Sequence, residues 1–141
     1  MGELNWDVDA GAFARWRDLD ATGIDLGDAR LAAAAFSNVR LTRAVLRRVD
    51  LERGSFVRVD LSGSDAEGAR MAGLQFVDCD LTAARLVGAD LRGARLTRVR
   101  LCGADLRDAD LTGAVFEDCE WGYTDLRGAL GVAEVRYRGC G

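Results

Sequence analysis

The chain has 141 residues, contains no His, Pro or Lys, and sets 19 Arg against 23 Asp and Glu for a net charge of -4. That length fits one domain and is too short for two with separate cores. Without His or Lys there is no imidazole acid or base, no Ser-His or Cys-His nucleophile, no Schiff base and no phosphate-loop lysine, and a zinc site would have to be built from Cys and carboxylate alone.

In chain order, Met1-Gly2-Glu3-Leu4 lacks the basic flank and apolar core of a signal peptide. The longest mainly apolar stretch, Leu31 to Phe36, is far short of a membrane span. A cytoplasmic protein without a membrane partner is expected. Residues 1–13 are predicted to form an N-terminal cap, with a degenerate repeat around Trp6 as one form of it. A short amphipathic helix through Ala10, Phe13 and Ala14 is an alternative for residues 9–18. Cys79, Cys102, Cys119 and Cys140 have neither metal-site nor disulfide-scaffold spacing, and free thiols are expected. No metal or cofactor is implied.

From residue 14 the apolar pattern follows neither the helical period nor the alternation of a strand. Its period is five. Every fifth residue from Leu26 to Leu126 is Leu, Phe, Met or Trp except Ala66. The residue two before each is small, with Ile24 and Leu74 as the exceptions. Gly often stands two after the large residue, as in Asp90-Leu91-Arg92-Gly93-Ala94, where a tight turn asks for positive φ.

Segments such as Ala89-Asp90-Leu91, Ala104-Asp105-Leu106 and Ala109-Asp110-Leu111 resemble the pentapeptide-repeat family, whose pattern is Ala-(Asp/Asn)-Leu-x-x. The resemblance implies an all-β fold, a right-handed quadrilateral β-helix of about five to six coils with four pentads per coil, placed here at residues 14–128. The spacing supplies its own check. Side chains four pentads apart should stack, and Phe36, Phe56, Phe76 and Phe116 fall in one column with Leu96, which extends back to Trp16.

A branch of this family resembles B-form DNA in shape and charge and binds DNA gyrase or topoisomerase IV, giving quinolone resistance or self-protection. The resemblance therefore implies a protein partner, possible gyrase binding and no direct contact with nucleic acid. A duplex of comparable length, about 25 to 30 Å, carries on the order of 15 charges, far more than -4. The charge is also distributed unevenly. It alternates at close to the coil period, with 36–58 and 84–103 each at +4 and 59–83 at -4. Columns Arg58, Asp78, Arg98, Asp118 and Arg30, Asp50, Arg70, Asp90 read as ladders of weak exposed ion pairs. Residues 104–125 sum to -6: Asp105, Asp108, Asp110, Glu117, Asp118, Glu120 and Asp125 face only Arg107 in that stretch, which makes them the candidate acidic interaction surface.

Ala66 and Leu74 break the pattern within one coil. Either Leu74 fills the space Ala66 leaves, or a local bulge exposes a small-molecule groove. Val57 and Val77 on the outside of the Phe-lined face fit an exposed sheet or a flat interface. Residues 129–141 leave the repeat and are expected to cap the solenoid or to form a homodimer contact at its C-terminal end, using Trp121, Val132, Val135 and Tyr137. Acid pairs on a convex surface lack a pocket to shift their pKa, so no enzyme activity is expected. A structural scaffold or assembly module without a topoisomerase role is the alternative to gyrase binding.

Overall fold

Every fifth residue from Asp18 to Gly128 lies in the left-handed region, with φ between 52° and 75°. The chain turns at each of these positions. Fourteen of them are not glycine, among them Ala33, Arg48, Ala83 and Tyr123, although an L-residue there costs about 1 kcal/mol or more. The cost is accepted because each turn delivers the next apolar side chain to a shared interior.

A computed structural model describes residues 14–138. The principal strands are β1 (Arg15–Asp20), β2 (Ala35–Arg40), β3 (Ser55–Val57), β4 (Gln75–Val77), β5 (Arg95–Thr97), β6 (Val115–Glu117) and β7 (Arg136–Arg138). They form one parallel sheet in sequence order. From β1 to β6 each residue pairs with the one four pentads on, as in Trp16↔Phe36, Phe56↔Phe76 and Leu96↔Phe116. Five such steps give about five turns of a β-solenoid. The other three sides carry single parallel bridges at the same spacing, such as Asp25↔Val45 and Arg30↔Asp50. Strand β1 replaces the helix considered for residues 9–18 over its residues 15–18, because the backbone there pairs with β2. The cap expected at 1–13 lies outside the described residues.

The core is a stack of apolar layers. Trp16 packs on Phe36 with ring centroids 4.8 Å apart, Phe36 on Phe56 at 5.0 Å, and Phe56 on Phe76 at 5.5 Å in edge-to-face geometry, which suits the ring quadrupoles. Ala66 and Leu74 are both buried, and the flanking pairs Asp65↔Arg85 and Gln75↔Arg95 keep the regular four-pentad step, so no bulge opens a groove in this coil. Leu74 answers a gap directly beneath it. Its Cδ1 lies 3.2 Å from where a Cβ on Gly54 would sit, one coil back in the same column.

After Gly128 the phase shifts. Gly131 has φ 75°, Val132–Glu134 make one 3-10 turn, and β7 joins β6 one position later than the regular step would place it, Val115↔Arg136.

Candidate functional surface

The outer surface is built from three positions in every pentad, and the Asp just before each large residue has a local task. Asp20, Asp25, Asp50, Asp60, Asp65, Asp80, Asp90, Asp105, Asp110 and Asp125 each accept the backbone N–H two residues on. These carboxylates close the corners as Asx turns. Three members of the candidate acidic surface, Asp105, Asp110 and Asp125, belong to this set.

Arginines occupy much of the remainder. Arg107 donates through Nε and Nη2 to the Asp105 carboxylate at 2.9 and 2.8 Å, and Arg127 Nη2 reaches Asp125 at 2.7 Å. The side-chain bond from Arg127 holds the Asp125 pKa down at about 2. Glu117 takes Arg95 Nη2 at 3.2 Å, Glu120 lies 3.9 Å from Arg100, and Asp110 lies 4.0 Å from Arg92. The expectation that these seven acids face only Arg107 is therefore corrected. Stacking brings Arg92, Arg95 and Arg100 up from the preceding coil, and Arg127 folds back on Asp125 from two positions away. Asp108 and Asp118, both exposed, make no ion pair among the described residues.

The two charge columns fill unevenly. Arg98 clasps Asp78 with two hydrogen bonds, 2.5 Å from Nε and 3.2 Å from Nη2, and this contact lowers the Asp78 pKa. In the other column Arg70 sits 3.8 Å from Asp50 but 2.6 Å from Glu52, while Asp90 is taken by Arg92 at 2.7 Å. Most ladder partners are thus chosen by local reach as much as by column.

An open groove of about 450 Å³ follows the corner after the Phe-lined side, lined by Asp78, Cys79, Asp80, Arg98, Val99, Arg100, Asp118 and Glu120. It lacks an activated nucleophile. Cys79 is buried, donates to the Phe56 carbonyl at 3.3 Å, and burial pushes its thiol pKa up to about 11, which keeps it protonated at neutral pH. Cys119 makes the same contact two coils on, to the Leu96 carbonyl at 3.2 Å. Cys79, Cys102 and Cys119 are free thiols; Cys140 lies outside the described residues. Among the described residues no group of His, Cys, Asp or Glu is placed to hold a metal ion, and no helix is long and apolar enough to cross a membrane.

At the C-terminal end Val135 is buried in the core and Val132 packs partly against it. Trp121 stacks on Phe116 at 4.5 Å, and the backbone of Tyr137 pairs with that of Phe116. Tyr123 and Leu130, which sequence reasoning did not single out, are the large apolar residues left exposed there, at 98% and 60%. Tyr123 sits at a left-handed corner that the period of five marks, so the signal for it was present.

A parallel solenoid with an apolar interior and its charge on the outside belongs to the class of repeat proteins. The pentapeptide-repeat profile, described as "Pentapeptide repeats", matches eight copies over residues 24–63, 60–98 and 94–130. The chain belongs to the pentapeptide-repeat family. No curated protein matches it. Among solved structures it is similar to the pentapeptide repeat protein Rfr23 from the cyanobacterium Cyanothece 51142, at 23% identity over 88% of each chain and a TM-score of 0.39. A pentapeptide repeat protein from the thylakoid lumen of Arabidopsis thaliana is 28% identical over 79% of this chain and 60% of its own, with a TM-score of 0.47. QnrB1, a plasmid-mediated fluoroquinolone resistance protein, is 17% identical over 96% and 87%, with a TM-score of 0.32.

Proposed function

We propose that this chain is a non-enzymatic interaction protein of the cytoplasm that offers the exposed acids of its C-terminal coils to a basic site on another protein. The observation that supports the reading is the pair Asp108 and Asp118, exposed carboxylates without an ion pair among the described residues, with Glu120 only loosely held by Arg100. Free thiols at Cys79, Cys102 and Cys119 agree with a reducing compartment. DNA gyrase or topoisomerase IV is the partner the family resemblance puts first. With most acids turned inward to Asx turns or paired with Arg, such a contact would rest on a local acidic patch instead of a duplex-length charge array.

A gyrase supercoiling assay with and without a quinolone tests the reading. Inhibition or protection at tens of micromolar, abolished by Asp118→Arg with Glu120→Arg while the circular dichroism is retained, is the expected result. No effect at that concentration removes the topoisomerase partner. A scaffold role would then be the better reading, and it is favoured by the ion pairing that neutralises most of the surface.

A further inference from the structure

The side of the solenoid that carries β1–β6 differs from the other three. Its outward positions form two columns, which the strand register places side by side. One runs Arg17, Ser37, Val57, Val77, Thr97, Glu117. The other runs Arg15, Ala35, Ser55, Gln75, Arg95, Val115. From β2 through β4 neither column holds a charge. Beyond that neutral centre stand Arg15 and Arg17 at one end, neither in an ion pair among the described residues, and at the other Arg95 and Glu117, which pair with each other at 3.2 Å.

We propose that this side is a self-association surface on which a second copy of the chain packs with its solenoid axis reversed. A two-fold axis along the strands, between β3 and β4, sets each column against itself in reverse order. Val57 then meets Val77 of the other copy, Ser37 meets Thr97, Ser55 meets Gln75, and Arg17 meets Glu117. Each contact occurs twice, as an isologous interface requires. Glu117 has an oxygen to spare, since Arg95 uses Oε1. At the adjoining corner Arg58 faces Asp78 while Asp18 faces Asp118, so that corner is close to balanced and the Arg17–Glu117 contact selects the register. Centring on β3 sets Arg17 against Thr97, and centring on β4 sets Ser37 against Glu117; both leave Arg17 without the carboxylate.

Size sets the strength. Six strands at about 4.8 Å spacing and three residues at about 3.3 Å give a patch of roughly 24 by 10 Å. That is well below the ~800 Å² per partner of a stable dimer, so the association is transient, with a Kd on the order of 0.1–1 mM. The exposed ion pair makes it salt-sensitive.

Sedimentation velocity on the full chain, from about 10 µM to 1 mM at low salt, tests this. Association is expected, weakened about tenfold by Arg17→Glu or by Glu117→Arg, and restored to near wild type in the double swap. Val57→Glu, which places a charge in the neutral centre, should abolish it, and thermal unfolding of each variant confirms the monomer fold. A wild type that stays monomeric throughout the range overturns the proposal. So does a double swap no better than the single ones, or loss of association on Leu130→Asp, which would move the contact to the end of the solenoid. None of these substitutions touches Asp108, Asp118 or Glu120, so the result is independent of the gyrase assay.

Discussion

Coils 61–80 and 81–100 are neighbours with the same backbone and different interiors. The second is regular: Leu81, Leu86, Leu91 and Leu96 alternate with Ala84, Ala89, Ala94 and Val99, all buried. The first places Ala66 and Met71 among its large positions and Ser64 and Leu74 among its small ones, and these are buried as completely. Their corners nevertheless fall on the same phase of five and their bridges keep the same four-pentad step. The repeat therefore specifies where the backbone turns, while volume can be exchanged along a column between coils. Gly54 beneath Leu74 is the clearest exchange, because a residue without a side chain is roofed by one too large for its own position.

Making coil 61–80 resemble coil 81–100 puts that view at risk. Leu74→Ala copies Ala94, yet it should cost about 2–5 kcal/mol, because it empties a cavity above Gly54 that a closed square coil cannot collapse into. Chemical denaturation measures it, and a loss below about 1 kcal/mol would mean the coils pack independently. Gly54→Ala is expected to cost about 1–3 kcal/mol, since its Cβ would meet the Ala34 carbonyl oxygen at 2.7 Å and Leu74 Cδ1 at 3.2 Å. In the double variant the Leu74 clash is gone and the carbonyl clash remains, so the two costs should combine to less than their sum.

Ser64→Ala copies Ala84 and should raise stability by about 1 kcal/mol, because the Ser64 hydroxyl is buried without a hydrogen-bond partner among the described residues. A loss of stability on the same denaturation curve would show that the hydroxyl is satisfied. Ala83→Gly works in the other direction, giving coil 81–100 the glycine that coil 61–80 has at Gly63. The φ of Ala83 is 57°, and relief of that strain less the entropy cost of glycine should leave a gain of roughly 0.5 kcal/mol in the thermal midpoint analysis.

The period of five made the backbone legible, since a single in-phase pattern dictates turns, layers and the Phe column together. Side-chain partnerships were legible only in part. Asp78 and Arg98 stand one coil apart in the same column and meet, as a column reading implies. Arg70 prefers Glu52 to the Asp50 of its own column, because a long guanidinium side chain reaches across to the next outward position as easily as straight down. For the same reason the acids at 104–125 lost much of their isolation once Arg92, Arg95 and Arg100 arrived from the coil before. The roofing of Gly54 was hidden because the pattern rule tolerates any small residue at that position, and glycine differs from alanine there only in what the neighbouring coil must supply.

The smallest expected effect is the one that joins the two coils. Asp78 belongs to the first and Arg98 to the second, and their hydrogen bonds lower the Asp78 pKa below its ordinary 3.8. A depressed carboxylate pKa means that the unfolded chain takes up a proton first as the pH falls. The contribution of this pair is thus complete above about pH 4 to 5 and is lost progressively as the pH drops through the lowered folded-state value. Asp78→Asn should therefore lower the thermal midpoint slightly at pH 7, by a difference that shrinks towards zero as the pH falls through the lowered folded-state value. A difference that persisted unchanged at low pH would assign the role of Asp78 to its left-handed corner, φ 55°, and the charge would then contribute nothing to holding the coils together.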